Sequence, residues 1–377
     1  MAGIYIHIPF CKQACHYCDF HFSTSLKKKE ELLNMLKKEL ILRKEELCGE
    51  VVETIYFGGG TPSVLMQEEI DFIIQAVFDN YSVISDPEIT LEANPDDLSV
   101  GVIDALKRSR VNRLSIGVQS FHQEDLEMMN RAHTAEEAWN SLLYASEHFD
   151  NISVDLIYGI PGLTEERWQY NIEKVLQLGV SHISSYALTV EKQTALYKLI
   201  EKGKIPQPDD GAAHVHFMML IERLQQEGFI HYELSNFSKP GFFSKNNSAY
   251  WLGKSYLGIG PSAHSFNGVN RSWNISNNTL YIKSVEGGVL PSESEKLTVG
   301  DRYNEYVMTG LRTIWGVDVE RISKEFGVEF KEHILKTSDR FIEKKLMLFS
   351  NGVFTITNDG KFLSDGIASD LFWLDLK

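Results

Sequence analysis

Apolar and polar positions in residues 1–240 follow two alternating spacings. Six short runs, rich in β-branched and aromatic residues, have the length and composition of buried strands. The predicted strands are 4–8, 54–57, 89–93, 113–118, 152–157 and 182–188. Between them, apolar residues recur at three- and four-residue steps, which is typical of amphipathic helices. The predicted helices include 30–46, 68–80, 100–107, 135–148 and 165–178.

Strand–helix units in series predict a parallel sheet with right-handed crossovers. A sheet built from six such units is either doubly wound or closed into an incomplete barrel. In both architectures, ligands bind at the carboxyl ends of the strands. We therefore predict an α/β fold with its functional loops gathered on that edge.

The pattern changes after residue 240. Residues 240–275 are rich in Gly, Asn, Ser and aromatic side chains without a clear period, so we expect a loop-rich bridge there. From about residue 297 the spacing predicts helices near 301–312, 319–326 and 329–345, then a hairpin of 346–349 and 353–356. This order resembles a winged helix. The predicted division is a core of 1–240, a bridge of 241–296 and a winged-helix-like α+β unit of 297–377.

The charge balance narrows the classes of partner. The 377-residue chain carries 37 Lys and Arg against 52 Asp and Glu, a net charge of −15. This balance argues against a broad nucleic-acid surface, so we favour a packing or protein-partner role for the winged-helix-like unit. The sequence has no long apolar run that predicts a transmembrane segment, and its start does not resemble a signal peptide. With four cysteines, three of them clustered, we expect a cytoplasmic protein.

Three cysteines near the start carry the most specific chemical signal. Cys11, Cys15 and Cys18 follow the first predicted strand with the spacing C-x3-C-x2-C. Three thiolates can hold three irons of a [4Fe–4S] cluster and leave the fourth open, as reductive cleavage of S-adenosylmethionine requires. Two alternatives stay open. A zinc site completed by His7 or His16 fits the spacing less well, and a disulfide lacks a secretory context.

Polar and glycine residues lie in or directly after other predicted strands and belong to the same rim. They are the turn Gly58-Gly59-Gly60-Thr61-Pro62, Glu92, Gln119 and Asp155, with Arg131 following Gln119 in the chain. The glycine turn lets a ligand approach the backbone, and Glu92 could accept hydrogen bonds from an ammonium group or a ribose. Gln119 and Asp155 could bond ribose hydroxyls, and Arg131 suits a carboxylate. Each residue has a structural alternative by itself, but together they predict one site.

The cysteine spacing, with GGGTP, LEANP, GVQSF and DLIYGIPG, resembles that of the radical S-adenosylmethionine (radical SAM) superfamily. More narrowly, the chain is similar to the oxygen-independent coproporphyrinogen III oxidases and the HemW-type haem chaperones, over residues 1 to about 375. The resemblance implies an incomplete (β/α)6 TIM-like barrel, in agreement with the six units above. It also implies a [4Fe–4S] cluster on the three cysteines and S-adenosylmethionine as cofactor.

The resemblance also implies cofactor contacts. The cluster-bound S-adenosylmethionine would be held by Tyr5, Gly59, Glu92 and the region of His264, with Tyr17 beside the adenine. The oxidases hold a second S-adenosylmethionine. The residues that match this second site are Gly60, Thr61, Gln119, Arg131, Asp155 and Ala187.

Two features favour the chaperone branch of the family. The oxidases carry another cysteine two positions after the third ligand, where this chain has Phe20. They also have a longer N-terminal extension, whereas the first cysteine of this cluster is residue 11.

The haem-binding motif of the chaperones is altered in this chain. The family motif is H-N-x-x-Y-W, and Asn246 occupies the position of its histidine. An amide is a poor ligand for haem iron, so His231 or His264 could serve in its place. Tyr250 and Trp251 could still stack against a porphyrin.

The sequence therefore predicts an iron–sulfur protein that binds S-adenosylmethionine and haem and transfers haem to a client protein. An electron donor for the cluster is a further expected partner. The first alternative is an oxidoreductase of porphyrin biosynthesis that decarboxylates coproporphyrinogen III. The second is a DNA-binding regulator built on the winged-helix-like unit, which the net charge disfavours.

Overall fold

Six parallel strands form the centre of one twelve-stranded sheet. The structure, a computed structural model, describes residues 1–374, so the end of the predicted C-terminal unit, 375–377, lies outside the described residues. The parallel strands are β1 (Ala2–Ile8), β2 (Val52–Gly59), β3 (Val83–Ala93), β4 (Arg113–Gln119), β5 (Ile152–Tyr158) and β6 (His182–Ala187). They pair in chain order, which confirms the predicted α/β architecture.

Helices alternate with the parallel strands, as the spacing of apolar residues predicted. They are α1 (Lys29–Leu42), α2 (Gln67–Asn80), α3 (Val100–Arg108), α4 (Gln123–Met128), α5 (Ala135–Ser146), α6 (Glu165–Gln177), α7 (Ala195–Glu201) and α8 (Asp210–Gln226). The sheet keeps two edge strands, so the barrel is incomplete.

The two faces of the parallel strands differ in polarity, because successive side chains point to opposite sides. In β1, Ile4, Ile6 and Ile8 are fully buried in the main apolar core. Tyr5 lies on the inner face, where its ring centroid is 6.1 Å from that of Tyr56 in β2. The helices cover the apolar face, and the inner face presents polar groups toward the strand ends.

The segment expected to be a loop-rich bridge is largely regular, so that expectation was wrong. Residues 241–296 contain α9 (Lys245–Trp251), α10 (Asn278–Glu286), β9 (Tyr256–Ile259), β10 (His264–Phe266), β11 (Asn270–Asn274) and β12 (Ser292–Lys296). β9 pairs in parallel with β1, and β10 to β12 extend that side of the sheet antiparallel. At the other edge lie β7 (Ile230–Glu233) and β8 (Asn236–Ser238). Such short strands, with exposed polar side chains in β12, leave little periodicity to detect.

The C-terminal residues surround a second apolar core. Its elements are α11 (Val299–Leu311), β13 (Val317–Asp318), α12 (Val319–Glu325), α13 (Val328–Glu343), β14 (Met347–Ser350), β15 (Val353–Ile356), α14 (Asn358–Lys361) and α15 (Ser364–Asp370). β14 and β15 form the predicted hairpin, and β13 adds a third strand. Helix α11 begins with a capping box between Thr298 and Asp301. No helix within residues 1–374 is long and apolar enough to cross a membrane.

Candidate functional site

The carboxyl ends of the parallel strands surround a cavity of about 410 Å³. This volume is typical of small-molecule sites. All the predicted cluster and cofactor residues line it except Tyr5 and His264. The lining includes Cys11, Cys15, Tyr17, Cys18, Gly59, Gly60, Thr61, Glu92, Gln119, Arg131, Asp155 and Ala187. The fold therefore brings residues from distant parts of the chain to one place.

The loop that follows α4 holds the cysteine loop in place. The backbone N–H of His16 donates to Met129 O at 3.0 Å, and Gln13 Nε2 donates to Asn130 O at 2.9 Å. In the opposite direction, Asn130 Nδ2 donates to Ala14 O at 2.7 Å. Asn130 has a φ of 57°, a left-handed conformation that asparagine tolerates better than most residues. These bonds fix the backbone between the first and third cysteines.

Side-chain donors point at two of the three clustered sulfur atoms. Thr61 Oγ1 donates to Cys11 Sγ and Arg131 Nη1 donates to Cys15 Sγ, each at 3.3 Å. Burial raises the pKa of Cys11 and raises that of Cys18 to about 11, so these thiols are protonated at neutral pH. Metal binding replaces such protons, and donors to sulfur stabilise the ligated thiolates. All four cysteines are free thiols, so the disulfide alternative is not observed.

The histidines considered for a zinc site make other contacts. His7 Nε2 lies 3.1 Å from His21 O, and its Nδ1 lies 3.2 Å from Tyr5 Oη. His16 Nδ1 lies 2.9 Å from Met128 O. Among residues 1–374, no three His, Cys, Asp or Glu side chains are preset around a metal position. Because both ring nitrogens of His7 are engaged, it does not serve as the fourth ligand in this arrangement.

Glu92 lies on the inner face, where its carboxylate is bonded on both oxygens. Oε1 accepts a hydrogen bond from Tyr56 Oη at 2.7 Å, and Oε2 accepts one from Gly59 N at 3.3 Å. Burial raises the pKa of this carboxyl to about 7, although these bonds act in the opposite direction. Gly59 has a φ of 109°, and a Cβ there would lie 2.5 Å from the ring of His7. Only glycine fits this turn beside the carboxylate.

Arg131 crosses the cavity and joins several of its walls. Its Nη2 donates to Asn94 Oδ1 at 2.6 Å and to Gly117 O at 2.7 Å, while its Nη1 also donates to Tyr17 Oη at 3.3 Å. Its Nε is buried and has no partner among the described residues. Much of the guanidinium is therefore engaged by the protein itself, and Nε is the donor that stays available to a ligand.

Asp155 lies in β5 and lines the same cavity. Its carboxylate accepts hydrogen bonds from Ser115 Oγ at 3.3 Å and Ser153 Oγ at 3.2 Å. Burial raises its pKa to about 6, and nearby Arg113 counteracts part of that shift. Ser115 and Gly117 line the cavity but were not among the predicted site residues. Counting back in steps of two from Gln119 along the strand would have identified both.

Tyr5 and His264 lie outside the cavity lining. Tyr5 is on the inner face of β1, two residues before His7. It therefore lies farther from the carboxyl end of the strand than the residues that line the cavity. His264 begins β10 on the extended side of the sheet, where its exposed ring lies 6.1 Å from the ring of Trp273. As predicted cofactor contacts, these two residues are not brought to the cavity by the arrangement of the strands.

A second cavity, of about 750 Å³, lies between the residues from α9 to β12 and the C-terminal helices α11 and α12. Tyr250 and Trp251 line it, with ring centroids 5.3 Å apart. Asn246 does not line it, since its Oδ1 accepts a hydrogen bond from Thr54 Oγ1 at 3.0 Å near the amino ends of the strands.

His231, an expected haem ligand, is enclosed by other groups. Its Nε2 lies 3.1 Å from Leu234 O, and its Nδ1 lies 2.8 Å from Lys361 Nζ. Burial lowers its pKa to about 3. Both ring nitrogens are engaged, so ligation by His231 requires these contacts to break.

Known proteins share both the sequence pattern and the fold. Residues 5–175 match the radical SAM superfamily, and residues 297–363 match the HemN C-terminal domain. A heme chaperone HemW of Bacillus subtilis is 34% identical over 371 residues, covering 97% of this chain and 98% of that protein. One from Lactococcus lactis is 33% identical, covering 96% and 95%. The solved structure of coproporphyrinogen III oxidase (HemN) from Escherichia coli, a radical SAM enzyme, has a TM-score of 0.84 and 24% identity, covering 98% of this chain and 90% of that one.

Proposed function

The chain belongs to the HemW family of the radical SAM superfamily, and we propose that it is a haem chaperone. It would bind a [4Fe–4S] cluster, S-adenosylmethionine and haem, and transfer haem to a client protein. The observation that carries this proposal is the similarity to proteins named heme chaperone HemW over nearly the whole of both chains. The resemblance to the oxidase structure concerns the fold and does not favour that activity.

The first cavity supports the cofactor part of the proposal. Cys11, Cys15 and Cys18 would ligate three irons, and a cluster of this kind supplies one electron to a sulfonium at its open iron. The sulfur-directed donors Thr61 and Arg131 fit such a ligand set. The buried Nε of Arg131, without a partner among the described residues, suits an anionic group of the ligand, and Gly59 and Gly60 line the cavity without side chains. The proposed cofactor contacts are Tyr17, Gly59, Gly60, Thr61, Glu92, Gln119, Arg131, Asp155 and Ala187.

Phe20 supports a chaperone in preference to an oxidase. It lines the first cavity and is 68% exposed, at the position where the resembled oxidases carry a cysteine. A phenyl ring supplies neither a thiol hydrogen nor a titrating group to a radical reaction.

The remaining assignments follow from this role. We propose the cytoplasm as the compartment, and an electron donor and a haem-accepting protein as partners. The two separate apolar cores support a division into a barrel core of 1–240, its extension 241–296 and a C-terminal unit from 297.

Haem titration into the anaerobically reconstituted protein tests the proposal. We expect saturable binding at one haem per chain, followed by the Soret band. The absence of saturable binding would contradict the chaperone role. In parallel, the same protein is incubated with coproporphyrinogen III, S-adenosylmethionine and a reductant, and accumulation of decarboxylated product would replace the chaperone with the oxidase.

A cysteine variant tests the assignment of the cluster ligands. Cys11→Ser should lose iron and sulfide, because two thiolates do not retain the cluster in the proposed ligand set. Cys48→Ser is the matched control, since Cys48 is exposed and outside the cavity. Iron retained in Cys11→Ser at the level of the control would contradict the assignment of the ligands.

A further inference from the structure

The second cavity combines an aromatic lining with arginine side chains. Its aromatic residues come from α9 to β10 on one side and from α11, α12 and the chain after α15 on the other. They are Tyr250, Trp251, Tyr256, Phe266, Tyr306, Phe326 and Phe372. The rings of Tyr250 and Tyr256 lie 5.4 Å apart, and those of Tyr256 and Phe266 lie 6.1 Å apart. Such a surface suits a large planar ligand.

Three of the four arginines in this cavity are paired with carboxylates. Arg271 Nη2 lies 2.8 Å from Glu305 Oε1, and Arg321 Nε lies 2.9 Å from Glu325 Oε1. Arg312 pairs with an aspartate of α15 at 2.5 Å, and its guanidinium lies 5.4 Å from the ring centroid of Trp251. The charges of these three arginines are therefore balanced by carboxylates of the same chain.

Arg302 differs from the other three. It lies in the first turn of α11 and lines the cavity, but within residues 1–374 its guanidinium forms no ion pair. Its Nε is buried and has no hydrogen-bond partner there. The neighbouring Asp301 forms no ion pair with it in the described structure, and the Oδ2 atom of that carboxylate accepts hydrogen bonds from the backbone N–H and the hydroxyl of Thr298. A half-buried guanidinium without a counter-ion favours an anionic ligand.

The carboxylates of the cavity are compatible with this assignment. Glu305 and Glu325 are neutralised by their arginines, and Asp301 is engaged in the helix cap. Glu295 is exposed on β12 at the edge of the cavity and forms no ion pair in the described part of the chain. Among the described residues, Arg302 is thus the one arginine of this cavity that lacks a carboxylate partner.

We propose that the second cavity binds a planar tetrapyrrole through its aromatic lining, and that Arg302 pairs with a carboxylate on the edge of the ring. This inference rests on the proposed function, because haem is the tetrapyrrole and its propionates are the carboxylates. The guanidinium fork can bond both oxygens of one propionate. Arg302 is therefore a residue that recognises the ligand's acidic edge and does not touch the iron.

Comparison of haem with its dimethyl ester isolates this contact. Both compounds keep the ring and the iron, but the ester has no carboxylate. They are titrated into the reconstituted full-length protein in the same solvent mixture. The wild type should bind haem about tenfold more tightly than the ester, the ratio expected for one partly exposed charge-assisted pair. In Arg302→Met the ratio should fall to about one, through weaker binding of haem with little change for the ester.

Arg340→Met is the matched control. Arg340 belongs to the same C-terminal unit and also loses one charge in the variant, but it lies outside the cavity lining and pairs with Asp370. It should keep the wild-type ratio. Thermal unfolding of both variants shows whether they fold alike.

Each other outcome overturns the inference. Equal binding of haem and ester by the wild type means that no carboxylate is recognised. An equal loss for both ligands in Arg302→Met means that Arg302 acts on the shape of the cavity and not on the propionate. If neither ligand binds the wild type saturably, the proposed function fails as well, which distinguishes that failure from the first two.

Discussion

Glu92 should make the affinity for S-adenosylmethionine depend on pH. Burial raises the pKa of this carboxyl to about 7, and of the two groups that it could bond, an ammonium and a ribose hydroxyl, we assign the ammonium group of the cofactor to its ionised form. A carboxyl of that pKa is about 3% ionised at pH 5.5 and about 75% ionised at pH 7.5. The affinity therefore rises with pH, and titration of Glu92 alone should lower the dissociation constant about 25-fold over this interval.

Glu92→Gln removes the titrating group and the charge. At pH 7.5 the variant should bind S-adenosylmethionine about 10- to 100-fold more weakly, because hydrogen bonds to charged groups contribute about 1.5–3 kcal/mol. Its remaining pH dependence should not exceed about fourfold. That remainder comes from Asp155, whose pKa burial raises to about 6.

Anaerobic isothermal titration calorimetry at the two pH values measures these constants. Asp155→Asn serves as the matched control, and it should keep most of the 25-fold dependence because Glu92 still titrates. Thermal unfolding at each pH shows whether the variants are folded. A wild-type affinity that is flat between pH 5.5 and 7.5, or a Glu92→Gln variant that keeps the full dependence, would refute the assignment of the ammonium group to Glu92.

Two further predictions concern stability and redox potential. Glu39→Gln should lower the free energy of unfolding by about 3–5 kcal/mol in urea titrations, because it removes the fully buried carboxylate that pairs with Arg43 and accepts hydrogen bonds from Asn274 and Tyr281. The side chain of Glu46 is 43% exposed, so Glu46→Gln should lower the free energy of unfolding by less than about 1 kcal/mol. Equal losses in the Glu39 and Glu46 variants would contradict this reasoning. Thr61→Val should lower the midpoint potential of the cluster, because it removes the hydrogen bond to Cys11 Sγ, whereas Thr61→Ser should keep it. Redox titration with EPR detection measures the potentials, and identical values in both variants would contradict that role.

The barrel and its rim could be predicted because their signals are local. Each parallel strand is a short apolar run followed by glycine or polar residues, and the carboxyl ends of such strands meet at one edge. Glu92 and Gln119, at the ends of β3 and β4, were therefore predicted from position, and with Asp155 of β5 they line one cavity. The predicted strand of 182–188 ends at Ala187, within the usual uncertainty of a strand boundary.

The extension of the sheet could not be predicted in the same way. β9 is four residues long and pairs with β1, which lies some 250 positions earlier in the chain. Its register is set by contacts that no local pattern encodes. The second cavity has the same origin, because Tyr250 and Arg302 meet only when the extension packs against α11. That Arg302 has no ion pair among residues 1–374 likewise depends on long-range packing, which decides the partners of the other arginines in this cavity.

Asn246 shows how one motif can divide between two surfaces. The backbone N–H groups of Lys245 and Asn246 donate to the carboxylate of Glu88 at 3.0 and 3.1 Å, which fixes the start of α9 against the barrel. The Asn246 side chain adds a bond to Thr54, whereas Tyr250, about one turn later, faces the second cavity. Replacing histidine by asparagine therefore removes an imidazole from the barrel side without altering the aromatic lining. In the proposed complex, binding then depends on ring stacking and carboxylate pairing, and not on an iron–imidazole bond from position 246.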